Sequence, residues 1–214
     1  MEDTPWIVVT GLDGSGKSTL VTDLAAHYGV RHFRLPFWPF VKELMAVSGG
    51  GSQFGDPYTD RLLHVVDSRL ADGQIRTWRD AGETLVSQRG WLDHFVFGAC
   101  QGWSYEQMCA LLRPEDLSTA SVYIHLHADP EIAYARIADD QDGDKFETLD
   151  FMRVQARETV RCWEAVRLGV DAFASFQGAA HLLLDTSELT TVQTFTRACE
   201  FLTVELGERL RVRA

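Results

Sequence analysis

The stretch Gly11-Leu-Asp-Gly-Ser-Gly-Lys-Ser-Thr19 satisfies G-x-x-x-x-G-K-[ST], and its surroundings constrain the fold more than any other part of the chain. A short β-branched run, Trp6 to Thr10, comes before it, and helically spaced Leu20, Val21, Leu24 and Ala25 come after it. Strand, glycine loop and helix in that order make a phosphate cradle. The glycines let successive N–H groups point inward, and the helix adds the positive end of its dipole. Gly11, Gly14, Ser15, Gly16 and Thr19 belong to the cradle, Lys17 brings a point charge to the β- and γ-phosphates, and the Ser18 hydroxyl is placed for Mg²⁺. ATP or another nucleoside triphosphate is the implied ligand.

Four further apolar runs, near residues 30–35, 84–88, 121–127 and 181–185, alternate with helical patterns. The continuous apolar character of Trp6 to Thr10 suits a strand buried on both faces of a parallel sheet. Long helices are predicted over about 58–78 and 149–168, and a final one from Ser187 to near Gly207. Asp93 and Ser104 read as caps of two short helices, Gln107 completing a capping box with Ser104, and Asp129-Pro130 opens a helix reaching about Ala138. The segment from Pro36 to Pro57, rich in Pro, Phe, Trp and Gly, reads as irregular. The expectation is one α/β domain over residues 1–214, with five parallel strands joined by right-handed crossovers.

Thirty-one acidic against twenty basic residues give a formal charge of −11, which repels polyanions such as DNA and anionic membranes. An anionic ligand must then be held by a local group of cations and amides. No apolar run is long enough for a membrane span, and Met1-Glu2-Asp3 is acidic where a signal peptide is basic, so a cytosolic protein is expected. Cys100, Cys109, Cys162 and Cys199 are far apart without a C-x-x-C and read as reduced, mostly buried thiols. His125 and His127 share a strand face and read as structural. A guanine-reading N-K-x-D is absent, and the hydrophobic run ending at Asp185 falls on the last strand, an unusual place for the metal-binding Asp of a motor ATPase. Phosphoryl transfer to a bound acceptor is the better class.

With Asp13 inside it, the G-x-D-G-x-G-K-S-T loop resembles that of the thymidylate kinase family of P-loop kinases, and the resemblance covers most of the chain. It implies a three-layer P-loop kinase fold with a mobile lid over about 136–148, a homodimer, and ATP with Mg²⁺ as cofactors. Asp13 is implied to lie near the acceptor sugar and the transferring phosphate. Arg34-Leu35-Pro36 retains the arginine and proline of the family's R-E-P-G motif. Gln88-Arg89-Gly90-Trp91 stands where the family has Asp-Arg-aromatic, so Arg89 is retained, the aromatic moves to Trp91, and a metal-positioning Asp becomes Gln88, leaving Asp13 or Asp93 to take over or the metal to ATP and Ser18. Arg69, in Asp67-Ser-Arg69, resembles an acceptor-helix arginine, and Arg136 and Lys145 stand where lid cations are expected over the triphosphate. Thr186 and its neighbours resemble the turn beside the adenine ring.

The implied chemistry is transfer of the ATP γ-phosphate to a pyrimidine deoxynucleotide, dTMP or a modified relative, with Lys17, Asp13, Arg89 and Arg136 at the reacting groups. Arg34, Arg69, Gln88, Arg89, Trp91 and Phe37 fall on the acceptor side. The rings of Phe37, Trp38 and Phe40 either stack on a base or cover the sheet. Two other readings stay open. The acceptor is a hydroxyl on a nucleoside, a natural-product precursor or 5-hydroxymethyluracil in DNA, the last disfavoured by the net charge; or the chain binds nucleotide without turnover.

Overall fold

The computed structural model describes residues 4–46, 57–137 and 148–210. Five parallel strands, β1 (Trp6–Gly11), β2 (Arg31–Arg34), β3 (Leu85–Gln88), β4 (Val122–His127) and β5 (Ala180–Asp185), form one sheet in the order β2-β3-β1-β4-β5. Strand β1 is central and wholly buried, in keeping with its unbroken apolar run. Its side chains serve the two faces alternately: Trp6 and Val8 enter one core, Ile7 and Val9 the other.

On the Ile7 face lie α1 (Lys17–Tyr28) and α8 (Thr191–Leu206), contributing Leu20, Val21, Leu24, Ala198 and Leu202. On the Trp6 face lie α3 (Pro57–Asp80), α4 (Leu92–Cys100), α5 (Tyr105–Leu112) and α7 (Leu149–Arg167), contributing Ile75, Phe95, Met108 and Cys162. The short helices α2 (Pro39–Ala46) and α6 (Pro130–Ile137) complete the described α-helices. Ala133 of α6 and Met152 of α7 form a small third cluster with Leu12 of the glycine loop. Among the described residues no helix is long and apolar enough to cross a membrane.

Three local readings change. Asp93 sits inside the first turn of α4, where Trp91 holds the cap position and makes no side-chain cap bond; the Asp93 carboxylate is occupied elsewhere. The last helix begins at Thr191, not Ser187, because the Ser187 amide and hydroxyl both bond to Asp185, and Thr190 with Gln193 makes the capping box. Pro39 opens α2 in the segment read as irregular. The Ser104–Gln107 box forms as expected. All four cysteines are free, but only Cys162 is buried. His125 bonds His181 at 3.0 Å within the Trp6-face core, a structural pairing across β4 and β5.

Candidate active site

The order β2-β3-β1-β4-β5 opens a crevice at the carboxyl ends of the strands, flanking β1, where parallel sheets bind ligands. The glycine loop lies there. Gly11 has φ of 135° and any Cβ would collide with the Leu126 carbonyl of β4; Gly14 has φ of 76° and would collide with the Ala133 carbonyl of α6. Both closures pull the loop tight against its neighbours. Helix α1 starts at Lys17 from Gly16, which has no side chain to cap it, so the first-turn amides face outward for an anion.

A cavity of about 620 Å³ opens over this loop. Residues 13 to 19 line it together with Arg34, Gln88, Arg89 and Arg136, and Thr186 and Thr190 lie on the opposite wall. Ser15 Oγ is buried without a hydrogen-bond partner. The Arg136 guanidinium donates to the carbonyls of Gly14 (3.3 Å), Thr186 (2.9 Å) and Ser187 (3.1 Å), and Thr186 Oγ1 donates to Ser15 O at 3.0 Å. These bonds fasten the turn after β5 to the loop. Most of the expected lid, with Lys145 and the acidic run from Asp139 to Asp144, lies outside the described residues.

Lys17 is buried, and its Nζ donates to Leu12 O at 2.7 Å and to Asp13 Oδ1 at 2.9 Å. Arg89 Nη2 reaches the same carboxylate at 3.2 and 3.3 Å. Asp13 therefore joins the glycine loop to the end of β3. Burial pushes the Asp13 carboxyl up, but Lys17 and Arg89 together hold it well below the usual carboxylate range. Burial lowers the Lys17 ammonium, with Asp13 opposing. Arg89 has φ of 70°, a left-handed backbone uncommon outside glycine. Its amide bonds Val9 O at 2.8 Å and its carbonyl accepts from Ser87 Oγ at 2.9 Å, which fixes that conformation.

Asp93 lies behind this triad. It accepts from Thr10 Oγ1 and from the Gly90 amide, both at 2.8 Å, tying the end of β1 to the β3–α4 turn. Burial raises its carboxyl above the usual value. Each of its oxygens accepts one hydrogen bond, so Asp93 supports the site's backbone. The described residues hold no cluster of three or more His, Cys, Asp or Glu suited to a metal. The exposed Ser18 and the amide of Gln88 on the cavity wall suit a hydrated Mg²⁺ that arrives with a nucleotide.

Three residues expected on the acceptor side are placed elsewhere. Trp91 is 1% exposed, packed edge-on against Trp6 with its indole N–H on Ser118 O, because Gly90 lies against Val8 and turns the next side chain into the core. Arg69 bonds Leu112 O and pairs with Asp116 near the end of α5. Phe37 packs edge-on to Phe33, Trp38 and Trp78 at the core margin; of the two readings of that aromatic stretch, its ring follows the covering one. Sequence reasoning missed Arg61, His64 and His94. Arg61 and Arg89 both lie over the Phe97 ring, at 6.0 and 5.4 Å. Ser68 Oγ and His94 Nε2 are 2.7 Å apart, with the His64 ring beside them. The signal available for Arg61 was helical: it lies four residues before Val65, on the buried side of α3.

A family model described as "AAA domain" matches residues 6–168. A probable thymidylate kinase of Pyrobaculum aerophilum is 30% identical over 161 residues, covering 69% of this chain and 77% of that protein. The fold matches a solved thymidylate kinase from Candida albicans with a TM-score of 0.74 at 15% identity, over 99% of this chain and 96% of that one.

Proposed function

Because the chain belongs to the P-loop family described as "AAA domain" and, among P-loop enzymes, to the thymidylate kinase-like kinases, we propose that it moves the γ-phosphate of ATP to a pyrimidine deoxynucleoside monophosphate, dTMP or a modified relative. The observation that carries this reading is Asp13 linking Lys17 of the phosphate loop to Arg89 at the end of β3. That bridge sets a donor-side cation and an acceptor-side cation around one carboxylate.

In this reading an oxygen of the acceptor's phosphate attacks the γ-phosphorus, the bond to the β,γ-bridging oxygen breaks, and ADP leaves. A dianionic phosphate oxygen is already a nucleophile and needs no base. Asp13 suits that requirement, since its depressed pKa makes it a fixed anion that aims Lys17 and Arg89. Lys17 turns from Leu12 O to the triphosphate, the α1 amides and the uncommitted Ser15 hydroxyl hold phosphate oxygens, and Arg136 adds charge from the α6 side. Ser18 would hold Mg²⁺, which when bound neutralises phosphate charge. Arg34 and Gln88 border the acceptor end, and Lys145 is assigned to the lid.

The resemblance also supports a homodimer, built from one kinase domain per chain. Tyr58, Leu62, Val66 and Leu70 expose apolar side chains at four-residue intervals along α3, a continuous stripe of the kind that a second copy covers. The test of function is ADP release measured with ATP and, in turn, nucleoside monophosphates, nucleosides and modified DNA oligomers. Turnover is expected with a pyrimidine deoxynucleotide; release only with a nucleoside or with DNA overturns the assignment.

A further inference from the structure

Arg61 is 5% exposed on α3, and its Nε is buried without a hydrogen-bond partner. A guanidinium in such a place ordinarily sits in the fork of a carboxylate, because an uncompensated buried charge is costly. The Asp13 carboxylate already serves Lys17 and Arg89. Around Arg61 stand Phe97, whose ring it shares with Arg89, and the imidazoles of His64 and His94. Both imidazoles are kept neutral by burial, with Arg61 adding to the effect, His94 falling to about 3. Burial likewise pulls Arg61 down to about 10, Asp60 opposing and Arg89 reinforcing. Among the described residues, two guanidinium groups thus lie over one ring just past the end of β3, with Asp60 next to Arg61 and the Asp13 carboxylate shared between Arg89 and Lys17.

We propose that Arg61 is a binding residue for the acceptor, gripping its phosphomonoester together with Arg89 and so selecting phosphorylated over neutral acceptors. This rests on the reading of the chain as a nucleoside monophosphate kinase. An incoming dianion brings oxygens that the unpartnered Arg61 Nε and the neighbouring Arg89 can share, with a charge that a neutral hydroxyl does not bring. The Phe97 ring offers each guanidinium a cation–π contact, at 6.0 and 5.4 Å.

The test uses the intact protein and its Arg61→Met and Arg61→Lys variants, with the deoxynucleoside monophosphate best turned over by the wild type. Arg61→Met is expected to raise KM for that acceptor by about tenfold to a hundredfold and to leave KM for ATP within about twofold; Arg61→Lys restores part of the loss. Without ligand, Arg61→Met is expected to melt at or above the wild-type temperature, because it removes a buried charge. An unchanged acceptor KM overturns the role of Arg61 alone, and so does a lower melting temperature in both variants, which marks a packing role. If the wild type releases no ADP with any nucleoside monophosphate, the kinase reading and this inference fall together.

Discussion

Asp13 is shared by two cations, and its environment fixes how it responds to acid. Its folded pKa lies below its ordinary value of 3.8, so the stability it confers is complete above that pH and is lost as pH falls toward the folded value. Asp13→Asn is therefore expected to lower the urea midpoint at neutral pH, with the two proteins converging in strong acid; a difference that persists undiminished at pH 2 refutes the ion-pair account. Lys17→Ala is expected to cut kcat by about a hundredfold or more while circular dichroism stays native, since preorganised charge at a transferring phosphate is worth that much. Retention of a tenth of the activity contradicts a phosphate grip by Lys17. Gln88→Asp restores a carboxylate at the cavity wall and should lower the Mg²⁺ concentration needed for half-maximal rate. Loss of activity without unfolding would instead make the Gln88 amide an acceptor contact.

At the level of helices and strands, α8 offers a clean measurement. Thr190→Ala removes a side chain that accepts from the Gln193 amide at 3.2 Å and should cost about 1 kcal/mol in chemical denaturation. Leu62→Asp with Val66→Asp on the outer face of α3 should turn a dimer into a monomer by light scattering; an unchanged mass rejects that face. Strands β1, β3, β4 and β5 and the phosphate loop are legible in the sequence because short apolar runs followed by turn chemistry are a local signal, whereas β2, Arg31 to Arg34, is mostly polar and buries only Phe33. Trp91 was not, because its direction depends on Gly90 meeting Val8 of another strand. Arg69 and Arg61 lie on the same helix eight residues apart, but only the packing of α3 on α4 and α5 decides which guanidinium turns toward Arg89. Asp93 reads as a cap in the sequence, but it ties β1 to the β3–α4 turn through a contact to Thr10, 83 residues away.

For the molecule as a whole, the charge of −11 and the crowding of cations around one crevice divide the surface into a repelling exterior and an attracting mouth. Acceptor turnover should fall steeply with added salt if that mouth gathers its ligands from solution. The carboxylate at the centre has a further effect. A triphosphate that draws Lys17 away leaves Asp13 to Arg89, so occupancy at one end of the crevice alters the electrostatic load at the other. Donor and acceptor should then change each other's Kd by one common factor, whichever binds first. Calorimetric titrations with a non-hydrolysable ATP analogue would expose that linkage, and Asp13→Asn should erase it, making the two substrates strangers within one protein.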